Sequence, residues 1–331
     1  MGNSAWSYSE LKANASMKQP KISVIIPAHN EERHVSDCLD AILNQDIPAD
    51  DYEVILVDNN SSDSTPNIAK SYQKVKYIEQ RQGPVGAVRN KGVIHSRGEY
   101  LAFIDADCVA PRDWLSKGIQ LVNSADGIAL GGKYSLPENP AWIERYWLLG
   151  LREQKTHKLD LLGGTIFLRK TDFDKAGRFD ESITSGEDSK LSSDLRKSGI
   201  TVEVNQALNV IHLGNAKSVR DFIKRQAWHS ENYMTQLKES IKDKTFILTC
   251  FFMTIISAAL ASAITMNFSM ASLFFLISIG IASTFSHKRI TRAPKKKIKI
   301  PDYLSILFID FIYLIGRSIG IIRGLLPKQH T

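Results

Sequence analysis

Cysteine is scarce: Cys38, Cys108 and Cys250 are the three in 331 residues, with no CxxC pair and no metal-finger spacing. That excludes a disulfide framework or a zinc ribbon and fits a reducing compartment. Residues 1–20 hold no apolar stretch behind a basic one, so no secretory signal peptide is expected there. Trp6 breaks the myristoylation pattern that Met1-Gly2 begins. Glycosylation sequons at Asn14, Asn59, Asn60 and Asn267 are read as chance, because Asn59 and Asn60 fall in the ligand rim described below. Long apolar runs are absent before Thr245 and confined to the region after it, which predicts a soluble head and a membrane tail. A basic surface patch is also missing from the head. The net charge is +7, but Lys288, Arg289, Arg292, Lys295, Lys296, Lys297 and Lys299 all lie between Ser286 and Pro301 with no acid among them. The head is therefore near neutral, and nucleic acid is not an expected partner.

What is present is an alternation of strands and helices. Ile22 to Ile26 is a short β-branched run ended by Pro27, as for a strand buried on both faces of a parallel sheet. Residues 31–44 place Val35, Cys38, Leu39, Ile42 and Leu43 on one helical face. The unit repeats through a strand at 53–57, a helix at 63–72, a strand at 75–79, a helix at 85–95 and a strand at 100–104. This pattern predicts an α/β fold with a doubly wound, mostly parallel sheet and ligands at the carboxyl ends of its strands. The polar clusters expected at that rim are His29-Asn30-Glu31, Asp58 to Ser62, Gly83 and Asp105-Ala106-Asp107. Further on, Gly163-Gly164-Thr165 leads into a strand through Leu168, and Glu187 to Lys197 reads as a helix. Ser218 and Asp221 form a capping box for an amphipathic helix whose cationic flank (Arg220, Lys224, Arg225) rests either on the head or on a membrane surface.

Residues 246–266 and 268–285 are uncharged and each long enough to cross a bilayer, which predicts a hairpin with both ends on one side. The cationic loop 286–301 marks that side as cytoplasmic. The segment 303–326 contains Asp310, Arg317 and Arg323, so it is either a third span or a helix in the interface. Gly316, Gly320 and Gly324 would let another helix approach it closely. The expected organisation is thus a tail at 1–20, a catalytic domain at 21–215, a helical linker at 216–244 and a membrane region at 245–326.

Asp105 and Asp107 flank one residue at a strand end, so both carboxylates reach the same rim. There they suit a divalent cation, Mg²⁺ or Mn²⁺, that would stabilise a departing nucleoside diphosphate. A solvated turn is the alternative for an isolated DxD, and the shared rim argues against it. Asp58 ends a strand where a carboxylate can accept hydrogen bonds from a nucleobase or ribose, with Asn60 or Ser62 available to cap the next helix. Arg89 either contacts phosphates or base, or is a solvated helix charge. Of Glu187 and Asp188, one can cap its helix while the other takes a proton from an acceptor hydroxyl. His212 is either a third metal ligand or a structural histidine.

Taken in order, Val24-Ile25-Ile26-Pro27-Ala28-His29-Asn30-Glu31-Glu32, Val57 to Thr65, Val88-Arg89-Asn90-Lys91-Gly92, Phe103-Ile104-Asp105-Ala106-Asp107 and Gly186-Glu187-Asp188 resemble the family 2 glycosyltransferases. The resemblance covers about residues 21–215. It implies a GT-A fold with a Rossmann-like nucleotide half and an acceptor half, a nucleotide-sugar donor (often UDP-linked), a divalent metal and inversion at the anomeric carbon. By position it assigns Pro27, Asn30, Glu31, Asp58 and Arg89 to the nucleotide, with Asn60 beside them. Asp105 goes to the ribose or metal, Asp107 to the metal, and Asp188 to the base. The Gln-x-x-Arg-Trp signature of processive synthases is absent, since the nearest stretch is Arg225 to His229, so one sugar per encounter is expected.

The resulting expectation is a multi-pass enzyme of the cytoplasmic membrane that glycosylates a lipid-linked or cell-surface glycan, in contact with membrane lipids and with possible assembly partners. The alternatives are a polyisoprenyl-phosphate glycosyltransferase and a silent nucleotide-sugar-binding scaffold. A nucleotidyltransferase would carry a Gly-rich phosphate loop where Pro27-Ala28-His29-Asn30 stands.

Overall fold

The computed structural model describes residues 19–81, 83–148, 160–231, 233–234, 237–291 and 299–325. The tail before Gln19 and the cations Arg292, Lys295, Lys296 and Lys297 lie outside the described residues. Those described fall into two compact units, one of residues 19–137 and 160–214, the other of 138–148 and 215–325.

In the first unit the chain runs β1 (Ile22–Ala28), α1 (Val35–Leu43), β2 (Tyr52–Asn59), α2 (Thr65–Ser71), β3 (Val75–Gln80), α3 (Val85–Ile94), β4 (Tyr100–Phe103), β5 (Cys108–Val109), α4 (Trp114–Val122), β6 (Ile128–Gly131) and β7 (Tyr134–Ser135). After α5 (Trp142–Trp147), which belongs to the second unit, it continues through β8 (Ile166–Arg169), α6 (Lys170–Lys175), α7 (Glu187–Lys197), β9 (Thr201–Val204) and β10 (Val210–His212). Seven strands form one sheet in the order β3-β2-β1-β4-β8-β6-β9, and a small sheet is ordered β5-β10-β7. In the large sheet β8 runs antiparallel to β4 and β6, and the other pairs are parallel. The expected mostly parallel α/β sheet is therefore the observed one.

Every residue of β1 is buried, and its side chains alternate between two cores. Ile22, Val24 and Ile26 join Ala102, Trp114 and Phe167 on one face, whereas Ile25 joins Leu101, Phe103 and Phe173 on the other. Each such side chain contributes about 1.5–3 kcal/mol on burial, which explains why both faces are apolar in the sequence. β1 continues through Pro27 instead of ending there. Its pairing with β4 stops at Ile25 opposite Phe103, so a residue without an N–H is tolerated beyond it. Helix α1 begins at Val35, later than the expected residue 31, because the Glu31 carbonyl accepts from both His34 and Val35 N–H in a preceding turn.

The second unit contains α5, α8 (Val219–Glu231), α9 (Leu237–Ser240), α10 (Lys244–Ile264), α11 (Phe268–Thr291) and α12 (Ile300–Leu325). Half of the expected capping box is seen: Ser218 Oγ accepts from Asp221 N–H at 3.1 Å, but it also donates to the Asp221 carboxylate at 2.6 Å. α5 was expected within the catalytic domain. It groups with the helices because Ile143 is buried with Phe222, Phe252 and Ile312, and Trp147 stacks near Phe222 and Tyr313. α11 also runs on to Thr291, so residues 286–291 are helix and not loop. The cause is visible in Arg289, which pairs with the fully buried Asp310 at 2.6 Å and lies over the Trp147 ring at 4.2 Å.

Candidate active site

The polar residues expected at the strand ends meet at one rim of the first unit. Asn30 and Asn60, after β1 and β2, both adopt left-handed backbone conformations (φ 57° and 59°), for which asparagine is the common non-glycine choice. Asn30 N–H donates to Ser61 Oγ at 2.9 Å, and its Oδ1 accepts from Ser62 N–H at 2.8 Å. Glu31 N–H donates to Thr65 Oγ1 at 2.8 Å. Asn30 and Asn60 are exposed, Glu31 is half-buried and Pro27 is buried within β1. Asp58 is 2% exposed. Its Oδ2 accepts from Ser61 N–H and Tyr77 O–H, both at 3.2 Å, while its buried Oδ1 has no hydrogen-bond partner among the described residues. A buried carboxylate oxygen without a donor is costly, and a base N–H or ribose hydroxyl would supply one. Burial, reinforced by the Asp58 charge, pushes the Tyr77 hydroxyl up to about 12, so it stays a donor.

Arg89 is neither a solvated charge nor turned to a free rim. It is 3% exposed on α3 and forks between two carboxylates, Glu187 Oε1 at 2.7 Å and Asp105 Oδ1 at 2.8 Å. Burial alone would lower its pKa, but the charges of Asp105 and then Glu187 more than offset this and hold it above its ordinary value. The second oxygen of Asp105 accepts from Tyr134 O–H at 3.1 Å, and Gly164 N–H donates to that same hydroxyl at 3.2 Å. Glycine is required here for close approach: a Cβ at Gly164 would lie 2.5 Å from Asp105 Oδ2, and one at Gly163 would lie 2.4 Å from Arg89 Nη2.

Asp107 points to a different set. β10 pairs antiparallel with β5, setting His212 opposite Cys108, and His212 Nε2 stands 3.3 Å from Asp107 Oδ2. Ligand atoms of Asp107, Cys108 and His212 all lie within 4.8 Å of one another. A Cβ at Gly214 would come 1.9 Å from Asp107 Oδ2, so only glycine leaves room for that carboxylate. A carboxylate and an imidazole together suit a divalent first-row cation, and the carboxylate suits Mg²⁺ or Mn²⁺. Cys108 does not fit such an ion. Its sulfur is soft, and burial together with Asp105 and Asp107 raises the thiol well above its ordinary pKa, keeping it protonated.

Asp188 opens α7 beside Glu187. Its Oδ1 accepts from Ser189 N–H at 2.7 Å and its Oδ2 from Gly163 N–H at 3.2 Å. Burial first, then the neighbouring Glu187 charge, raises its pKa above the usual carboxylate range. Of the two acids, Glu187 is committed to Arg89, and Asp188 is left half-buried with a raised pKa. Tyr134, Gly163, Gly164, Gly214 and Cys108 were not anticipated as site residues. The tandem glycine was the one visible hint, since two glycines before a strand indicate close backbone approach.

Residues 23–177 match the family described as Glycosyl transferase family 2. Glycosyltransferase AglE of Haloferax volcanii is 29% identical over 217 residues, which are 62% of this chain and 71% of that protein. Poly(ribitol-phosphate) beta-glucosyltransferase of Bacillus spizizenii is 43% identical over 93 residues, 26% of this chain and 15% of its own length, so the likeness covers a small part of that protein. Mannosyltransferase PcManGT from Pyrobaculum calidifontis, solved in complex with GDP-Man and Mn²⁺, superposes on 92% of this chain and 88% of its own with a TM-score of 0.57 at 18% identity, a likeness of fold. Ordered motifs, fold and relatives agree: residues 23–177 are a Glycosyl transferase family 2 domain, and the fold is of the GT-A type.

Proposed function

We propose that this glycosyltransferase moves one sugar from a nucleotide-sugar to a hydroxyl of a lipid-linked or cell-surface glycan, with inversion, at the cytoplasmic face of a membrane. The observation that supports this best is one connected set of contacts. Asp188 accepts from Gly163, Gly163 lies against Arg89, and Arg89 bridges Glu187 to Asp105, two residues before Asp107 and its neighbour His212. Asp58 and the Asn30 loop receive the nucleoside, Asp58 through its unpartnered Oδ1 and Asp105 through the ribose. Asp107 and His212 would hold a divalent cation, which when bound neutralises charge gathering on the departing diphosphate.

Asp188 takes the proton of the acceptor hydroxyl as that oxygen bonds to the anomeric carbon from the face opposite the diphosphate. The bond from the anomeric carbon to the diphosphate oxygen breaks with its electron pair, and the configuration inverts. A phosphate acceptor would need no such base, so the raised pKa of Asp188 favours a hydroxyl acceptor over a polyisoprenyl phosphate. The three helices among the described residues that are long and apolar enough to cross a membrane, with the cations of 286–301, support the membrane and its cytoplasmic side.

The test is nucleotide release from a panel of UDP- and GDP-sugars with Mn²⁺. Wild type is expected to turn over at least one donor and Asp107→Ala to fall to background. Equal activity in the two removes the metal role, and transfer to a polyisoprenyl phosphate in place of a hydroxyl removes the acceptor class.

A further inference from the structure

Among the described residues three helices are long and apolar enough to cross a membrane, yet they are not alike. In the most apolar window, 17% of residues are buried in α10 and in α11, against 56% in α12. Along α10 and α11 the far half of the hairpin is bare: Leu260, Ile264, Met266, Phe268, Met270 and Leu273 are all exposed. α12 does not accompany the hairpin to that tip. Its middle lies across the hairpin between base and midsection, where Asp310 pairs with Arg289 and accepts from Ser286 Oγ at 2.9 Å, and Phe311 meets Phe252 at 5.4 Å and Phe275 at 5.9 Å between ring centroids.

Two faces of α12 differ in kind. Leu304, Phe308 and Ile322 are exposed and share one helical face, with Phe311 and Ile315 on the same line. The opposite face carries Tyr313, Arg317, Gly320 and Gly324, and α8 lies against it. Gly316 meets Ile223 and Gln226, Gly320 meets Ala227 and Ser230, and Gly324 meets Glu231, so the two helices advance side by side in the same direction. Ser230 Oγ donates to the Arg317 carbonyl at 3.0 Å, and Arg323 reaches Glu231 at 3.7 Å. The outer surface of α8 exposes the charges Arg220, Asp221 and Lys224, with Trp228 exposed one turn after Lys224. If α12 crossed the bilayer, its middle would carry these charges into hydrocarbon, where they are strongly disfavoured. An apolar stripe on one side and charges on the other is instead the pattern of a helix lying in the interface. Trp142, 42% exposed and 6.1 Å from the Phe308 ring, and Tyr303 are aromatics of the kind that settle at headgroup level.

We propose that only α10 and α11 enter the bilayer, and that α12 lies in the plane of its surface, the Leu304, Phe308 and Ile322 stripe in the acyl boundary and α8 on its watery side. The proposal rests on the membrane association proposed above, and names the phospholipid interface as the partner of that stripe.

Full-length protein in lipid vesicles, with Cys250→Ser and a fluorophore on Phe308→Cys or Ile322→Cys, is quenched by lipids carrying spin labels at shallow or deep positions. Both labelled positions are exposed, so neither change disturbs a core. They are separated by about 21 Å along the helix axis. Equal, shallow depths are expected; either position being quenched best by the deep spin label would overturn the proposal. In sealed vesicles from expressing cells, N- and C-terminal epitope tags should be digested or protected together, as an even number of crossings demands. Protection of one tag alone means a third crossing and overturns the in-plane assignment while leaving membrane association intact. Protein recovered in the soluble fraction would overturn the membrane reading itself and this proposal with it.

Discussion

The loops after β1 and β2 hold one another by hydrogen bonds between residues 31 to 34 positions apart: Asn30 to Ser61 and Ser62, Glu31 to Thr65, Glu32 to Asp63. The opposite side of the rim is held across far longer separations, Arg89 to Glu187 by charge across 98 positions and Asp107 to His212 by the pairing of β10 with β5. The first side spreads its stabilisation over many small contacts, so losing one is a modest loss. The second places buried charges against one another, and removing a partner leaves the rest uncompensated.

Substitutions on the two sides should therefore differ in size and in kind. The largest effect is expected at Asp188→Asn, where turnover should fall about 10²–10⁴-fold if Asp188 is the base. Its folded pKa is raised above the unfolded value, so its contribution to stability is present at low pH and lost as pH rises through the folded pKa. Asp188→Asn should thus unfold at the same or a higher temperature than wild type at neutral pH, and a fall would contradict the assignment. In wild type the acid limb of the pH–rate profile should lie above the ordinary carboxylate range, because Asp188 must be ionised.

Arg89→Ala comes next, at about 3–5 kcal/mol of stability, because it strands Asp105 and Glu187 together. Thermal unfolding of the purified protein checks this, and Arg89→Lys should rescue little, since an ammonium cannot fork between both carboxylates. Gly214→Ala should leave the fold in place and weaken Mn²⁺ about 10–100-fold by displacing Asp107, read by metal titration of activity. The smallest effect belongs to the hydrogen-bonded side: Asn30→Ala should cost about 1–2 kcal/mol for its left-handed backbone, whereas Asn30→Gly keeps that conformation and should cost less. A loss at Asn30→Ala as large as at Arg89→Ala would erase the distinction between the two sides.

The hydrogen-bonded side was legible because its residues follow directly from strand ends that local periodicity marks, as with Asp58 after the apolar run of β2. The charged side was less so. α3 buries Val88, Arg89, Asn90 and Val93 together, so its sequence shows no polar face to tell where Arg89 would turn. Tyr134 and Gly214 reach the aspartates only through the pairing of β10 with β5 and β7, which no local pattern announces. The same limit applied to α12: its charges were visible, but which side they occupied depended on α8 packing against its glycines.

The central claim is that the two aspartates of the strand-end pair do different work, Asp107 with His212 on a divalent cation and Asp105 held by Arg89 and Tyr134 beside the donor. Titrating Mn²⁺ against donor turnover in Asp107→Asn and Asp105→Asn separates them. Asp107→Asn should raise the Mn²⁺ needed for half-maximal rate far more than Asp105→Asn, whose defect should show in donor KM. An equal Mn²⁺ shift in both variants, or a larger one in Asp105→Asn, would contradict the account.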